Sequence, residues 1–186
     1  MIAPPLPTLK GPRVILRRPV PADVETRFAI GRHPEVVRGY GVSFDPDRPF
    51  TRLDAEREVA FVADQPFAWA IDVDGFIGHV RFHGIDAHDR RAALAIGIED
   101  PRRLGRGYGT ETVCLALTFA FSSGLHRISV RVLASNARAI ACYHRCGFVE
   151  EGREREAALV DGRWQDDVIM GLLDREFPAA AKCGER

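Results

Sequence analysis

The stretch LGRGYGTE, residues 104–111, sets three glycines within five positions, between a strand-like run (AALAIGI, 92–98) and an apolar run with helical spacing. Each glycine costs roughly 0.5–1 kcal/mol relative to alanine inside regular structure. A chain that keeps three of them at one junction needs bare backbone there. A strand that ends at Asp100-Pro101 and passes through glycines into a helix aims several N–H groups at one point, at the positive end of the helix dipole. Phosphate suits such a point, since glycines let it approach without meeting a Cβ, and Arg102, Arg103 and Arg106 add charge. The spacing is not a P-loop, because no Gly-Lys-Ser/Thr follows, and it lacks the third glycine of the dinucleotide fingerprint. Taken alone, the junction also fits a tight turn that serves helix–sheet packing.

The flanking runs set the class. RVILRR (13–18) alternates as a strand, and PADVETRFAI (21–30) follows as a helix with proline in its first turn. After the turn-rich SFDPDRPF, residues 51–63 have helical spacing. FAWAIDVDGFIGHVRF and LVDGRWQDDVIMGLL each hold Asp-Gly between strand-like runs, a strong hairpin signal. Between them lie strand 92–98, the glycine loop, a helix to about Ser122, strand 127–132, helix 137–146 and a last strand opening at Phe148. Hairpins imply antiparallel pairs, while strand–helix alternation implies crossovers. The sheet is therefore expected to be mixed, and the class α+β or α/β.

The 186 residues show no repeat, linker or boundary, so one domain is expected, with its core about 13–177 and flexible termini. Lysine plus arginine number 26 and so do aspartate plus glutamate, which gives no global field toward nucleic acid or an anionic membrane. Neither partner is expected. The proline-rich start lacks the pattern of a signal peptide, and no run approaches the ~20 apolar residues of a membrane span, which points to the cytoplasm. Cys114, Cys142, Cys146 and Cys183 lack disulfide-framework spacing, so reduced thiols are expected. Cys142 and Cys146 with His144 between them lack two further ligands at a matching spacing, so no metal is expected.

The segments IGIEDPRRLGRGYGTE, VLASNARAIACYHRCGF and GREREAALVDGRWQDDVIMGLL, in this order, resemble the GNAT N-acetyltransferase superfamily, especially its ribosomal-protein N-terminal and polyamine acetyltransferase branch. The resemblance covers about residues 13–177 and implies the acyl-CoA N-acyltransferase fold, an α+β (α/β three-layer) arrangement with a mixed, mostly antiparallel central sheet flanked by helices, with acetyl-CoA as co-substrate. It departs from the family signature at Leu104, where Gln or Arg is usual; grip by main-chain amides is little affected. By this resemblance the amides of Leu104, Gly105, Arg106, Gly107, Tyr108, Gly109 and Thr110 hold the pyrophosphate. The edge of the strand ending at Ile98 takes the pantetheine arm, and the Ile98 N–H polarises the thioester carbonyl. Asn136 matches the asparagine whose amide serves the pantetheine; it suits a helix N-cap equally well. Tyr143 matches the acid that protonates the departing thiolate, a task a neutral phenol can perform.

Many relatives carry a glutamate where this chain has Ala93. An amine attacks only unprotonated, and a lysine-like amine of pKa about 10.4 lies roughly 4.6 kcal/mol from that state at pH 7, whereas an α-amine lies about a unit away. The missing carboxylate therefore favours an α-amine or another weakly basic acceptor. Alternation puts Ala93, Ala95 and Gly97 on one face, clear of bulk, either as room for an acceptor or for close approach of a helix. His83, Glu99, Asp166 and Asp167 are the candidate replacement bases. The acidic run of Asp45, Asp47, Asp54, Glu56 and Glu58 reads as a solvated face more readily than as an entrance for a cation. The expected activity is transfer of acetyl from acetyl-CoA to a primary amine by direct attack in a ternary complex. The alternatives are a CoA-binding regulatory module without turnover and a transferase of a larger acyl group such as succinyl. A homodimer through the final strands is an expectation from the same branch.

Overall fold

A computed structural model describes residues 6–177. Its elements are β1 (Leu9–Lys10), β2 (Ile15–Arg17), α1 (Asp23–Ile30), α2 (Pro34–Gly39), α3 (Arg52–Asp64), β3 (Ala68–Asp72), β4 (Phe76–Asp86), β5 (Arg91–Ile98), α4 (Tyr108–Ser122), β6 (Arg127–Leu133), α5 (Ala137–Arg145), β7 (Val149–Val160) and β8 (Arg163–Leu173). The strands form one sheet in the order β1-β2-β3-β4-β5-β6-β8-β7, antiparallel throughout except for β5 with β6. This is the mixed sheet that the run order implied, mostly antiparallel and flanked by helices as the family resemblance implied.

Local chemistry accounts for the elements. Asp161 and Gly162 both have positive φ (48° and 75°), as a two-residue type I′ hairpin requires, and this Asp-Gly turn joins β7 to β8. At the other hairpin Asp74 (53°) and Gly75 (115°) turn β3 into β4. Thr51 and Asp54 form a capping box that starts α3. Beside the two-residue strand β1, two segments differ from expectation. The short helix α2 lies where no helix was expected, and β7 runs for 12 residues although most of its side chains are polar and exposed.

The two faces of the sheet carry separate apolar clusters. Trp69, Val80, Phe82, Leu94 and Ile128 pack with Val113 and Leu117 of α4 on one side, where Trp69 meets Phe82 and Phe119 edge-on. Ile30 of α1 packs with Ala70 and Phe76 on the other. The expected frayed tail after Phe177 and Cys183 lie outside the described residues. Among the described residues no helix is long and apolar enough to cross a membrane.

One irregularity of the sheet positions everything below. β5 pairs with β4 as far as Ile98, opposite Gly78, but with β6 only as far as Ala93, opposite Ser129. The two parallel strands therefore part company along residues 94–98. Because Glu99 N–H donates to the Ile77 carbonyl at 2.8 Å, the preceding residue points the opposite way, and the Ile98 N–H is aimed into the gap between β5 and β6.

Candidate functional site

A cleft of about 930 Å³ opens at this divergence, walled by residues 93–98 of β5, residues 129–133 of β6, the glycine loop, α5 and Tyr40. At one end Asp100 caps a single 3-10 turn, and the chain then passes through Gly105 (φ 72°) and Gly107 (φ 86°), both left-handed, into α4. The Leu104 N–H donates to the Pro101 carbonyl at 3.2 Å, and the next committed amide is Glu111, which donates to Gly107 at 3.1 Å. The amides of residues 105–110 have no acceptor within the described residues, and no side chain caps α4. Leu104, Gly105, Gly107, Tyr108, Gly109 and Thr110 line the cleft; Arg106 does not. Unsatisfied donors at a helix N-terminus fit a phosphate or diphosphate. Of the three neighbouring arginines, Arg103 reaches the cleft, while Arg102 is turned onto Asp100 at 2.9 Å.

Two residues that the sequence reading passed over brace this loop. Arg13 donates through Nη1 to the Arg106 carbonyl at 3.0 Å, stacks 5.2 Å from the Tyr108 ring centre, and pairs with Glu111 at 2.9 Å. Buried Glu111 also accepts from the amides of Arg13 (2.7 Å) and Val14 (2.9 Å), so the first turn of α4 is tied to the approach to β2. The only sequence signal for this was an acid in the first turn of a helix.

Tyr143 stands on α5, 6% exposed, its ring edge-on to Phe148, with centroids 5.6 Å apart. Its hydroxyl has no hydrogen-bond partner among the described residues, and the residue lines the cleft. Burial, and then the thiols of Cys142 and Cys146, push the phenol above its usual pKa, so it is a neutral donor across the physiological range. Asn136 caps α5: Oδ1 accepts from the Ala139 N–H at 3.1 Å while Nδ2 donates to the Gly39 carbonyl at 3.2 Å. The cap is thus real, and the same side chain borders the cleft. Cys142 and Cys146 are free thiols, and Cys142 lies 3.4 Å from Thr110 Oγ1.

On the other face of β5 the small residues have two uses. A Cβ at Gly97 would lie 2.2 Å from the Tyr40 hydroxyl, so the bare backbone there admits Tyr40, which follows α2. Ala93 and Ala95 line the cleft. The Tyr40 hydroxyl donates to Glu99 at 3.2 Å; Glu99, only 8% exposed, also stands 3.5 Å from His79 Nδ1 and 3.7 Å from Arg27. Burial raises the Glu99 carboxyl above the usual range, and Arg27 pulls it back. Burial lowers His79 to about 4. Tyr40 and His79 border the cleft, with Glu99 behind them.

The candidate bases separate accordingly. His83 lines the cleft and is exposed. Asp167 lines it too but is held by Arg131. Asp166 lies outside, accepting from the Glu156 amide at 3.0 Å. None of the acidic run 45–58 lines the cleft: Glu58 is bound by Arg27 and Glu56 by Arg52, each at 2.6 Å, and Asp54 serves the α3 cap. Among the described residues no group of three His, Cys, Asp or Glu side chains could hold a metal ion.

Comparison with known proteins shows the family and the fold. The family model for the acetyltransferase (GNAT) domain matches residues 13–149. A spermidine N(1)-acetyltransferase of Vibrio cholerae is 34% identical over 102 residues, which is 54% of this chain and 58% of that protein, so the chain spans little more than half of that relative. YoaA of Bacillus subtilis, named an uncharacterized N-acetyltransferase, is 26% identical over 172 residues, 90% of this chain and 97% of that one. The solved structure of spermidine N-acetyltransferase from Vibrio cholerae in complex with CoA and spermine has the same fold, with a TM-score of 0.72 at 24% identity, covering 89% of this chain and 98% of that one.

Proposed function

The chain belongs to the GNAT acetyltransferase family, and from that premise we propose that it moves acetyl from acetyl-CoA to an α-amine or another weakly basic primary amine, by direct attack in a ternary complex. The observation that carries this reading is the parting of β5 from β6, which leaves the Ile98 N–H and the Tyr143 hydroxyl facing one cleft whose far end is a cradle of free amides. Residues 105–110 would hold the pyrophosphate, and the exposed edge of β5 would pair with the pantetheine as an added strand does. The Leu104 amide, already bonded to Pro101, contributes less.

Acetyl-CoA supplies a thioester whose carbonyl carbon is open to an amine. Ile98 N–H donates to the carbonyl oxygen, where charge builds as the amine attacks, a role worth about 3–4 kcal/mol for a well-placed donor. Tyr143 gives its proton to the sulfur as the C–S bond breaks. The amine's proton leaves through water past Tyr40 and His79, or His83, since no carboxylate stands at Ala93. Fixing amine and thioester together provides several kcal/mol more. Neither free thiol has a histidine or carboxylate bonded to it among the described residues, which supports direct attack over an acyl-enzyme.

A CoA-binding module without turnover is the second reading, favoured by Ala93 alone. Release of free thiol from acetyl-CoA with a panel of peptide N-termini, amino acids and polyamines separates the two: no release with any amine, beside retained binding of coenzyme A by calorimetry, leaves the binding module. An acid chain such as succinyl would require a free arginine at the acyl end of the cleft. The proposal includes one domain, with its core at 13–177, supported by a single sheet that joins all strands; a cytoplasmic setting; and a homodimer through the final strands, where Leu159 and Trp164 form an exposed cross-strand pair.

A further inference from the structure

The acceptor side of the cleft has an electrostatic character that does not suit a polyamine. His79, Arg81 and His83 lie opposite Gly97, Ala95 and Ala93, so all three side chains share the face of the sheet that the small residues leave open, and all three line the cleft. The carboxylates that line it are Glu35 and Asp167. Each is already bound, Glu35 by Arg138 at 2.6 Å and Asp167 by Arg131. Glu58 and Glu99 are not lining residues and share Arg27. Arg81, by contrast, has no carboxylate within ion-pair distance among the described residues; its guanidinium rests 5.6 Å from the centre of the Phe61 ring. An aromatic face fixes the direction of a guanidinium without neutralising it. The two flanking histidines are held below their usual pKa by burial first and by the Arg81 charge second, and so stay neutral beside it.

Resting on the acetyl-transfer reading above, we infer that Arg81 determines acceptor choice by binding an anionic group of the amine substrate, so that the acceptor is a primary amine that carries a carboxylate. The register sets the spacing. Arg81 faces Ala95, three residues along β5 from Ile98, which at about 3.3 Å per residue puts its Cα level about 10 Å from the reacting end, a span its own side chain shortens. A carboxylate a few bonds from the amine falls in that range, whether it belongs to a free amino acid or to an acidic residue at a peptide N-terminus. A planar guanidinium binds a carboxylate through two parallel hydrogen bonds. The same unpaired charge repels a polycation, so discrimination has a repulsive part as well as an attractive one.

The test uses the full chain with acetyl-CoA, follows free thiol release, and compares matched acceptors: alanine with alaninamide, which lacks the carboxylate, a short C-terminally amidated peptide beginning with Glu with the same peptide beginning with Gln, and spermidine. Expected is a kcat/KM at least tenfold higher for an acid than for its amide in one of the two pairs, with spermidine poorest; the pair that shows it identifies the source. In Arg81→Gln the acid-to-amide ratio falls toward one, chiefly through KM, and in Arg81→Lys it is partly kept. Should Arg81→Gln fail to fold, the wild-type ratio and the lysine variant decide. Thiol release with equal rates for acid and amide, or with spermidine preferred, overturns this inference and leaves acetyl transfer standing. No release with any acceptor overturns both.

Discussion

The Tyr143 hydroxyl touches no protein partner, so removing it removes little besides its chemistry. Tyr143→Phe should keep the melting temperature and the affinity for CoA while kcat falls about 10²–10⁴-fold, the usual worth of a positioned acid; a loss under threefold in a thiol-release assay would remove Tyr143 from the mechanism. Gly97→Ala acts differently. Its Cβ would meet the Tyr40 hydroxyl at 2.2 Å, so the ring must move and the bond to Glu99 must break. The expected outcome is a raised KM for the amine with little change for acetyl-CoA, read from initial rates with each substrate varied. At this scale the sequence was partly legible. The small residues at 93, 95 and 97 advertised a close approach on one face, and the structure supplies its cause only at 97, a tyrosine from a segment more than fifty residues earlier. Tyr40, His79, Arg81 and Arg13 went unnoticed for the same reason: each owes its role to a contact across the fold, which local spacing does not encode.

Single elements transmit these contacts. Asn136 holds α5, and with it Tyr143, by capping Ala139 and by reaching α2 at Gly39. Asn136→Asp preserves the capping oxygen and loses the second bond, whereas Asn136→Ala loses both, so alanine should cost about 1 kcal/mol in chemical denaturation and aspartate clearly less. Equal losses would mean that the cap contributes nothing. β4 carries a titration. His79 is 27% exposed on its side chain, and its pKa falls from 6.5 unfolded to about 4 folded, because burial disfavours the imidazolium. A depressed pKa means that the imidazole's contribution is whole above about pH 6.5 and is lost as the pH falls through 4. The loss amounts to about 3 kcal/mol at most by linkage. Glu99 shifts the other way, its carboxyl raised by burial, so acid relieves its cost while adding that of His79. Comparing wild type with His79→Gln between pH 7 and 4 by urea denaturation isolates the imidazole: the advantage of wild type should shrink steadily, and a constant difference would contradict the buried neutral state.

Across the whole molecule the order of strands and helices was readable because each Asp-Gly hairpin and each strand-to-helix alternation is a local event. The sheet's order was harder, since β8 inserts between β6 and β7, and no local signal tells a strand which neighbour to accept. The parting of β5 from β6 was least legible, although the cleft depends on it. The strands from β1 to β5 and those from β6 to β8 share only the pairs Arg91–Arg127, Ala92–Ile128 and Ala93–Ser129 across that seam, with α4 as the covalent link between them. A ligand lying along the open edge of β5 against α5 and the loop therefore joins two parts that the backbone alone holds by one end. Any ligand that binds only the folded state adds RT ln(1 + [L]/Kd), about 2.7 kcal/mol at a hundredfold excess over Kd. For a chain of this size that raises the melting temperature by about 5–10 °C. Arg13→Ala, which unfastens the loop from β2 without touching the seam, should weaken CoA binding and so shrink this rise at fixed ligand. Hydrogen exchange at residues 94–98 adds the spatial test: with CoA bound, the amides of Ile96 and Ile98 should slow by at least tenfold, since these point into the seam. Their neighbours Ala95 and Gly97, turned toward β4, should change far less. Uniform slowing along β5 would show that the ligand stabilises the sheet as a whole, and the strand-like docking of the pantetheine would have to be abandoned.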